Sequence, residues 1–508
     1  MRPNRKILLI NTSVTTIKQY SHVFGYPVGL MAIAGYIRAQ GFAAVTILDF
    51  NVPGAFEGLE ETIRREQPAV VGMCGLTTDQ ECIEYTGRKI KQWLPDCLLI
   101  CGGPYASASP QRVAGYPFID LAVIGEGELT FTEILQRYLD GRELIGIKGT
   151  AYTTADGSVR QEPAREAIMD LDSLPLPAFD LVDIEFYSTH LSMATVGIRP
   201  YMSLFSSRAC PYQCTYCHAI FGKTFRAQSP ERMVEIIEHL IEHYGIRDYE
   251  FYDDIWNLDR DRVRRFCELV IAKRLDIAYH FPNGLRTDRL TEELLVLMKQ
   301  SGCRYFCVAV ESADKAMQKQ IKKFNKLDKI RDMINLADRL GIMTNGFFMI
   351  GFPGETYAQM LKTCWFVISS RLHIADLFAV TPFEGTELYA DLEKADKLNK
   401  NNLQKFDAGA YHNRVSDMSA VPKWLIFITL RLTFILTYAN PVRIYRVFRL
   451  YPYPGSLRRK IYQLILRMLG MKKMPREHIF EELRVREEAS GRQTGGGPVA
   501  SLVRVGTP

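Results

Sequence analysis

The sequence predicts an α/β protein: an N-terminal Rossmann-like parallel sheet, then a partial (β/α)6 barrel, then a basic helical C-terminal segment. Three observations carry that prediction. Short apolar runs alternate with helical patterns in two separate series, the sign of βαβ units with right-handed crossovers. Glycines stand just behind several runs of the first series. Three cysteines, Cys210, Cys214 and Cys217, crowd the loop after the first run of the second.

In the first series "KILLIN" (6–11) reads as a buried strand and "PVGLMAIAGYIRAQG" (27–41) as a helix closed by Gly41. The N-terminus has a charged start, but its apolar run is short and lacks a small-residue cleavage site, so it reads as a strand and not as a signal peptide. "AAVTILDF" (43–50), "AVVGMCGL" (69–76), "CLLICGGP" (97–104) and "LAVIGEGE" (121–128) follow as further strands. Gly75, Gly102, Gly103, Gly125 and Gly127 fall at carboxyl ends, where open α/β sheets bind ligands and bare backbone admits a large one. Residues 1–145 are assigned to this domain. Over 146–195, "GTAYTTADGSVR" turns at Asp156-Gly157 and predicts a hairpin, and "LDSLPLPAFD" reads as an extended linker.

The second series fills 196–395. Its strands are "YMSLFSS" (201–207), "DYEFYDD" (248–254), "AYHFPNG" (278–284), "YFCVAVES" (305–312), "TNGFFMIGFP" (344–353) and "ADLFAVTP" (375–382). Amphipathic stretches such as 230–245 and 291–302 separate them. Six strands with six helices make an open or partial barrel, whose chemistry sits on loops at the strands' C-terminal ends.

Residues 396–480 read as helical and 481–508 as a disordered tail. A net charge of +6 conceals an asymmetry: residues 421–475 hold eleven Lys or Arg and no Asp or Glu, which leaves −5 for the rest. The run 424–439 is short for a bilayer span and carries Arg431 midway. The arginine-rich stretches after it have two readings: peripheral contact with a membrane interface, or packing on the barrel by the apolar face with arginines solvated. No recognition module accompanies the charge, so nucleic acid is not expected as a partner. Eleven cysteines in a chain of 508 residues without export signals indicate a reducing, cytoplasmic setting and metal or redox roles in place of disulfides.

The cysteine loop is the sharpest signal. A structural zinc site takes four ligands, commonly as two pairs, and here three thiols cluster with no second pair at finger spacing. His218 adjoins Cys217, but neighbouring residues rarely reach one ion together. A [4Fe–4S] cluster held by three thiolates, with its fourth iron open, explains the deficit better.

Cys210-x-x-x-Cys214-x-x-Cys217, with Tyr216 before the last cysteine, resembles the signature of the radical S-adenosylmethionine (SAM) superfamily. The resemblance implies that the open iron chelates SAM and that electron transfer releases a 5′-deoxyadenosyl radical. It also implies SAM contacts from Asp253 and Asp254 near the amine, from Glu311 and Ser312 at the ribose, and from Gly351 and Gly354 of "MIGFPGET" (349–356) at the adenine.

A Rossmann-like domain ahead of such a barrel resembles the cobalamin-binding branch of that superfamily. The matching loops are "CGLTT" (74–78), "GGP" (102–104) and "GEGE" (125–128), which implies corrinoid contacts from Gly75, Leu76, Thr77, Gly102, Gly103, Gly125, Glu126 and Gly127. The loop after the first strand lacks Asp-x-His-x-x-Gly, so no histidine ligand to cobalt is expected from it. It also lacks G-x-G-x-x-G, against NAD.

The function implied is methyl transfer to an unactivated carbon of a small molecule, a hydrophobic one if the C-terminal segment meets membrane. The alternative is an oxidative cyclase similar to the anaerobic magnesium-protoporphyrin ester cyclase; a non-catalytic cobalamin and Fe–S sensor is a third. A ferredoxin or flavodoxin donor and oxygen sensitivity are implied with it. No motif marks the substrate or a catalytic residue beyond these cofactor sites.

Overall fold

A computed structural model describes residues 6–13, 23–398 and 418–453. The expected tail (481–508), the helical stretch beyond 453 and residues 14–22 of the first loop lie outside the described residues.

The first sheet has seven strands. Five are parallel: β1 (Ile7–Asn11), β2 (Val45–Asp49), β3 (Val70–Cys74), β4 (Leu98–Gly102) and β5 (Leu121–Val123), in the order β2-β1-β3-β4-β5. β1 is buried along its whole length because helices cover both faces of the sheet. Alternate side chains feed separate cores: Ile7 and Leu9 enter one cluster, Leu8 and Ile10 another. The chain runs from β1 outward to β2 and then crosses back to β3 on the other side of β1, so the switch point where such sheets bind ligands lies between β1 and β3.

The hairpin, β6 (Thr150–Thr153) and β7 (Val159–Gln161), pairs antiparallel with β5 and extends this sheet. The layer thus continues past residue 145 through the expected hairpin.

The second sheet holds six parallel strands in chain order: β8 (Met202–Leu204), β9 (Asp248–Phe251), β10 (Ala278–Leu285), β11 (Cys303–Glu311), β12 (Met343–Ile350) and β13 (Ile374–Ala379). β8 and β13 do not pair, so the barrel is partial. The helix Pro230–Tyr244 shows the local logic. Ser229 accepts the N–H of Arg232, Pro230 occupies the first turn, and Gly245 ends the helix at φ 66°.

The C-terminal helix Lys423–Tyr438 lies along β13, where the Tyr438 hydroxyl accepts the Ala375 N–H at 3.1 Å. Its packing reverses what its composition suggests. Thr429, Thr433 and Thr437 face inward with Ile426 and Leu430, while Trp424, Ile428, Leu432 and Leu436 face outward. Thr429 and Thr437 satisfy their hydroxyls on the carbonyls of Leu425 and Thr433, four residues back, at 2.7 and 2.6 Å. Self-satisfied, small side chains can therefore pack against the barrel.

The helix Pro441–Leu450 follows after a 68° bend. Its Arg443 is buried and donates to the carbonyls of Val367, Ile368 and Ser370, closing the end of the helix Tyr357–Ser369. The barrel-packing alternative for the arginine-rich stretch is met in part: Val447 and Tyr451 pack on the barrel and Arg449 is exposed, whereas Arg443 is buried and Val442, Tyr445 and Phe448 face outward.

Candidate functional site

The carboxyl ends of the two sheets face a shared cavity of about 1030 Å³. From the first sheet, Gly75, Leu76 and Thr77 behind β3, Gly102 and Gly103 behind β4, and Gly125, Glu126 and Gly127 behind β5 all line it. From the barrel come Asp254 behind β9, His218 of the cysteine loop, and Tyr252, Asn283 and Asp376.

Two glycines show how tightly the loops are drawn. Gly103 has φ +80°, and a Cβ there would sit 2.4 Å from Cys74 Sγ; one at Gly75 would meet Thr12 Oγ1 at 2.4 Å. Leu76 is 53% exposed, and around Gly102 nothing lies closer than 3.6 Å to an added Cβ. An apolar floor beside bare backbone suits a large, flat, mainly apolar ligand, so these residues fit a corrinoid.

The cysteine loop has a closed neck. Ser207–Arg208 pairs antiparallel with Arg226–Ala227, so residues 209–225 leave and return at one point. Both neck arginines reach across to the first domain. Arg208 donates to Glu126 at 2.8 Å and also pairs with Glu128; Arg226 pairs with the other oxygen of Glu126. Arg226 also donates to the carbonyls of Ile168 and Phe221 at 2.8 and 2.9 Å. Glu126 borders the cavity, but its carboxylate is occupied by two guanidiniums, and its role in the structure is to dock the domains. Buried arginines require such partners.

Within the loop Cys210 and Cys214 are half-buried, Cys217 is exposed, and all three are free thiols. Ala209, just before the first, is held at φ +69°, a strained conformation for a residue with a Cβ. The loop docks on two helix ends: Thr215 N–H donates to the carbonyl of Ile321, which caps the helix Lys315–Gln320, at 3.2 Å, and Leu388 N–H in the first turn of the helix Glu387–Lys394 donates to the Thr215 carbonyl at 2.8 Å. Burial holds the Cys210 thiol above its ordinary pKa, so binding iron must displace its proton. Among the described residues no three His, Cys, Asp or Glu side chains gather closely enough to hold a single metal ion. Three thiols spread along one strapped loop fit a multi-iron cluster and leave a zinc knuckle short of donors.

The residues expected around SAM separate into two groups. Asp254 is exposed to the cavity, and its charge acts on Cys210 and is opposed by His218 and Lys223. Tyr216 packs toward Phe352, ring centroids 6.0 Å apart, with Lys323 over its face at 5.9 Å. Lys323 in turn pairs with Glu311 at 3.3 Å, and Glu311 sits at φ +65°. The loop, the end of β11 and the turn after β12 are thereby joined through Tyr216.

The second group is engaged within the fold. Asp253 is buried and accepts from Ser206 N–H at 3.2 Å, from Ser206 Oγ at 2.9 Å and from Ser207 Oγ, so it anchors the entry to the cysteine loop. Ser312 is fully buried and its Oγ accepts the Asp314 N–H at 3.2 Å. Gly351, at φ +93°, faces Ile426 of the C-terminal helix, 3.6 Å from where a Cβ would stand. Gly354 has φ +72° and open space around it.

Two contributors, Glu355 and Asp376, were not singled out from the sequence. Glu355, fully buried, accepts the N–H groups of Gly351 and Phe352 at 2.7 and 3.1 Å and shapes their turn. Burial pushes its carboxyl up to about 7 against those two hydrogen bonds. Asp376, bonded by Asn345 Nδ2 at 2.8 Å, brings a carboxylate into the cavity from the last strand. An acid inside the apolar run "IADLFA" was the available hint.

A cluster-binding loop on a partial barrel, opposed across one cavity by a glycine-lined Rossmann-like sheet, defines an iron–sulfur enzyme with a second large cofactor. Comparisons with known proteins agree. The B12 binding domain family matches residues 15–135 and the radical SAM superfamily residues 204–367. An uncharacterised methyltransferase of Pyrococcus horikoshii is 31% identical over 394 residues, covering 77% of this chain and 83% of the relative. The anaerobic magnesium-protoporphyrin IX monomethyl ester cyclase of Rubrivivax gelatinosus is 26% identical over 388 residues, 75% of this chain and 68% of the relative. Among solved structures, the radical SAM methyltransferase TsrM from Kitasatospora setae, with tryptophan substrate and a SAM analogue bound, superposes with a TM-score of 0.64 at 18% identity, over 78% of this chain and 77% of that one.

The chain belongs to the cobalamin-binding radical SAM enzymes. Its cofactors are a [4Fe–4S] cluster, SAM and cobalamin.

Proposed function

We propose that this enzyme transfers a methyl group to an unactivated carbon of a small-molecule substrate. The observation that supports it is the single cavity: the corrinoid-side glycine loops and Asp254 of the SAM side border one volume, so a substrate between them meets both cofactors. When bound, the cluster and SAM supply a hydrogen-abstracting radical, and cobalamin supplies a transferable methyl group.

Each part of the chain has a role in this reading. Cys210, Cys214 and Cys217 hold the cluster. Asp254 accepts from the SAM amine, Glu311 from the ribose hydroxyls, and the Gly351–Gly354 turn braced by Glu355 supports the adenine. Gly75, Leu76, Thr77, Gly102, Gly103, Gly125 and Gly127 bed the corrinoid. Asp376 and Tyr252 orient the substrate from inside the barrel. Cys217, exposed at the loop, gives electrons from a docked ferredoxin or flavodoxin a short route.

The cyclase relative favours a second reading, in which oxidation or ring closure replaces methyl transfer. Anaerobic reconstitution with cobalamin, reductant, a small-molecule extract and SAM deuterated at its methyl group separates them. Methylation produces S-adenosylhomocysteine together with 5′-deoxyadenosine and a product carrying the label. Formation of 5′-deoxyadenosine alone, with no label transferred, would overturn the methyltransferase reading in favour of the cyclase.

A further inference from the structure

Twelve of the seventeen large apolar side chains exposed among the described residues stand on three helices, Tyr357–Ser369, Lys423–Tyr438 and Pro441–Leu450. The first presents Tyr357, Leu361 and Trp365 at helical spacing, and Trp365 is 67% exposed. The second adds Trp424 at 64%, with Ile428, Leu432 and Leu436 continuing the same ridge. The third adds Val442, Tyr445 and Phe448. The first two helices are joined by a hydrogen bond from Thr429 to the Tyr357 hydroxyl at 3.3 Å. So much exposed apolar surface gathered on three neighbouring helices is unusual on a protein that stays free in water.

We propose that this surface seats the enzyme on the face of an anionic lipid bilayer, lying in the interface without crossing it. Length decides against crossing: a helix of 16 residues is about 24 Å long at 1.5 Å per residue, short of the ~30 Å apolar core, and the next helix bends away by 68°. Charge decides for lipid. None of the three helices contains Asp or Glu; Lys423, Arg431 and Arg449 stand among or beside the apolar residues, while Lys362 and Arg446 are paired with Asp314 and Asp338 of neighbouring elements. The described residues 421–453 carry five Lys or Arg and no Asp or Glu, Arg443 alone among them being buried, so an anionic surface favours this side of the molecule. A second copy is a poor occupant, because a two-fold pairing sets the same basic face against itself with no acid in these helices to answer it. Trp and Tyr along the ridge suit the headgroup boundary, where one end of the ring is apolar and the other wet. The proposal stands apart from the chemistry proposed above.

The test is flotation of the full-length protein with vesicles of phosphatidylcholine alone, or with about one-third phosphatidylglycerol. Binding to the anionic vesicles is expected, falling several-fold when salt rises from about 0.05 to 0.5 M. Leu432→Glu with Trp424→Glu is expected to lower binding about tenfold, with melting and far-ultraviolet dichroism as the check on folding. Should that pair fail to fold, quenching of the unaltered protein's tryptophan fluorescence by brominated lipid reads the same contact through Trp365 and Trp424, while Trp93 packs on the first domain's core and Trp256 stays buried. Absence of binding and quenching on both vesicle types by folded protein overturns the proposal. So does light scattering that finds a dimer which the two glutamates dissolve.

Discussion

Arg208 Nη1 lies 2.8 Å from Glu126 Oε2, and that bond joins the neck of the cysteine loop to the last glycine loop of the first sheet. Only a tenth of either side chain is exposed. With Arg226 on the other Glu126 oxygen and Glu128 on Arg208, four charges are buried together at the seam. Glu126→Ala leaves two guanidiniums short of a buried partner and is expected to cost about 3–5 kcal/mol in denaturant unfolding. Iron retained after anaerobic reconstitution should fall with it, because the neck is what closes the loop. A loss below about 1 kcal/mol would mean that water reaches the seam.

Asp253 and Asp254 are neighbours with different expected phenotypes. Asp253→Ala removes the acceptor of three hydrogen bonds from Ser206 and Ser207, and is expected to destabilise the protein by about 2–4 kcal/mol and loosen the cysteine loop. Asp254→Asn faces the cavity and is expected to leave the melting temperature unchanged while weakening SAM binding about tenfold, by equilibrium dialysis on the reconstituted protein. Equal behaviour of the two variants in both measurements contradicts the division of roles.

Glu355 makes stability depend on pH with a definite sign. Its folded-state carboxyl stands at about 7 against an ordinary 4.5, so the folded chain keeps its proton where the unfolded chain has lost it. This group's contribution is therefore most favourable below pH 4.5, declines up to about 7 and is level above. Glu355→Gln still accepts from Gly351 and Phe352 but cannot ionise. Relative to the parent, its unfolding free energy should gain up to about 3 kcal/mol between roughly pH 5 and pH 8. Parallel stability curves for the two proteins would show that Glu355 ionises freely.

Cys210→Ala, Cys214→Ala and Cys217→Ala should each lose most bound iron and abolish SAM cleavage. Cys267→Ala, a core thiol away from the loop, should retain iron and cost only about 1–2 kcal/mol in stability. Iron and sulfide analysis after oxygen-free reconstitution checks both outcomes.

Local signals made the strands legible. "KILLIN" became β1 almost to the residue, because a run buried on both faces has nothing polar to blur its edges. Its neighbours were read too long at the far end: β5 stops at Val123, and Gly127 already opens a helix, since glycines that admit a ligand also end a strand. The cysteine loop was readable because its three thiols are close in sequence. The Glu126 clasp was not, since its arginines lie 82 and 100 residues away and nothing in either stretch declares a partner. The orientation of Lys423–Tyr438 was not legible in the sequence for a physical reason. An apolar stripe ordinarily turns inward, but here threonines that bond their own backbone fill the closer contact.

The four-charge clasp constrains how this architecture can be rebuilt. A chimera that takes its corrinoid module from one relative and its barrel from another would bring together a carboxylate pair and a guanidinium pair that must match in number and reach. Grafts that exchange Glu126, Glu128, Arg208 and Arg226 as a set should assemble, whereas grafts that split the quartet should expose unanswered like charges at the join and come apart before any cofactor is loaded.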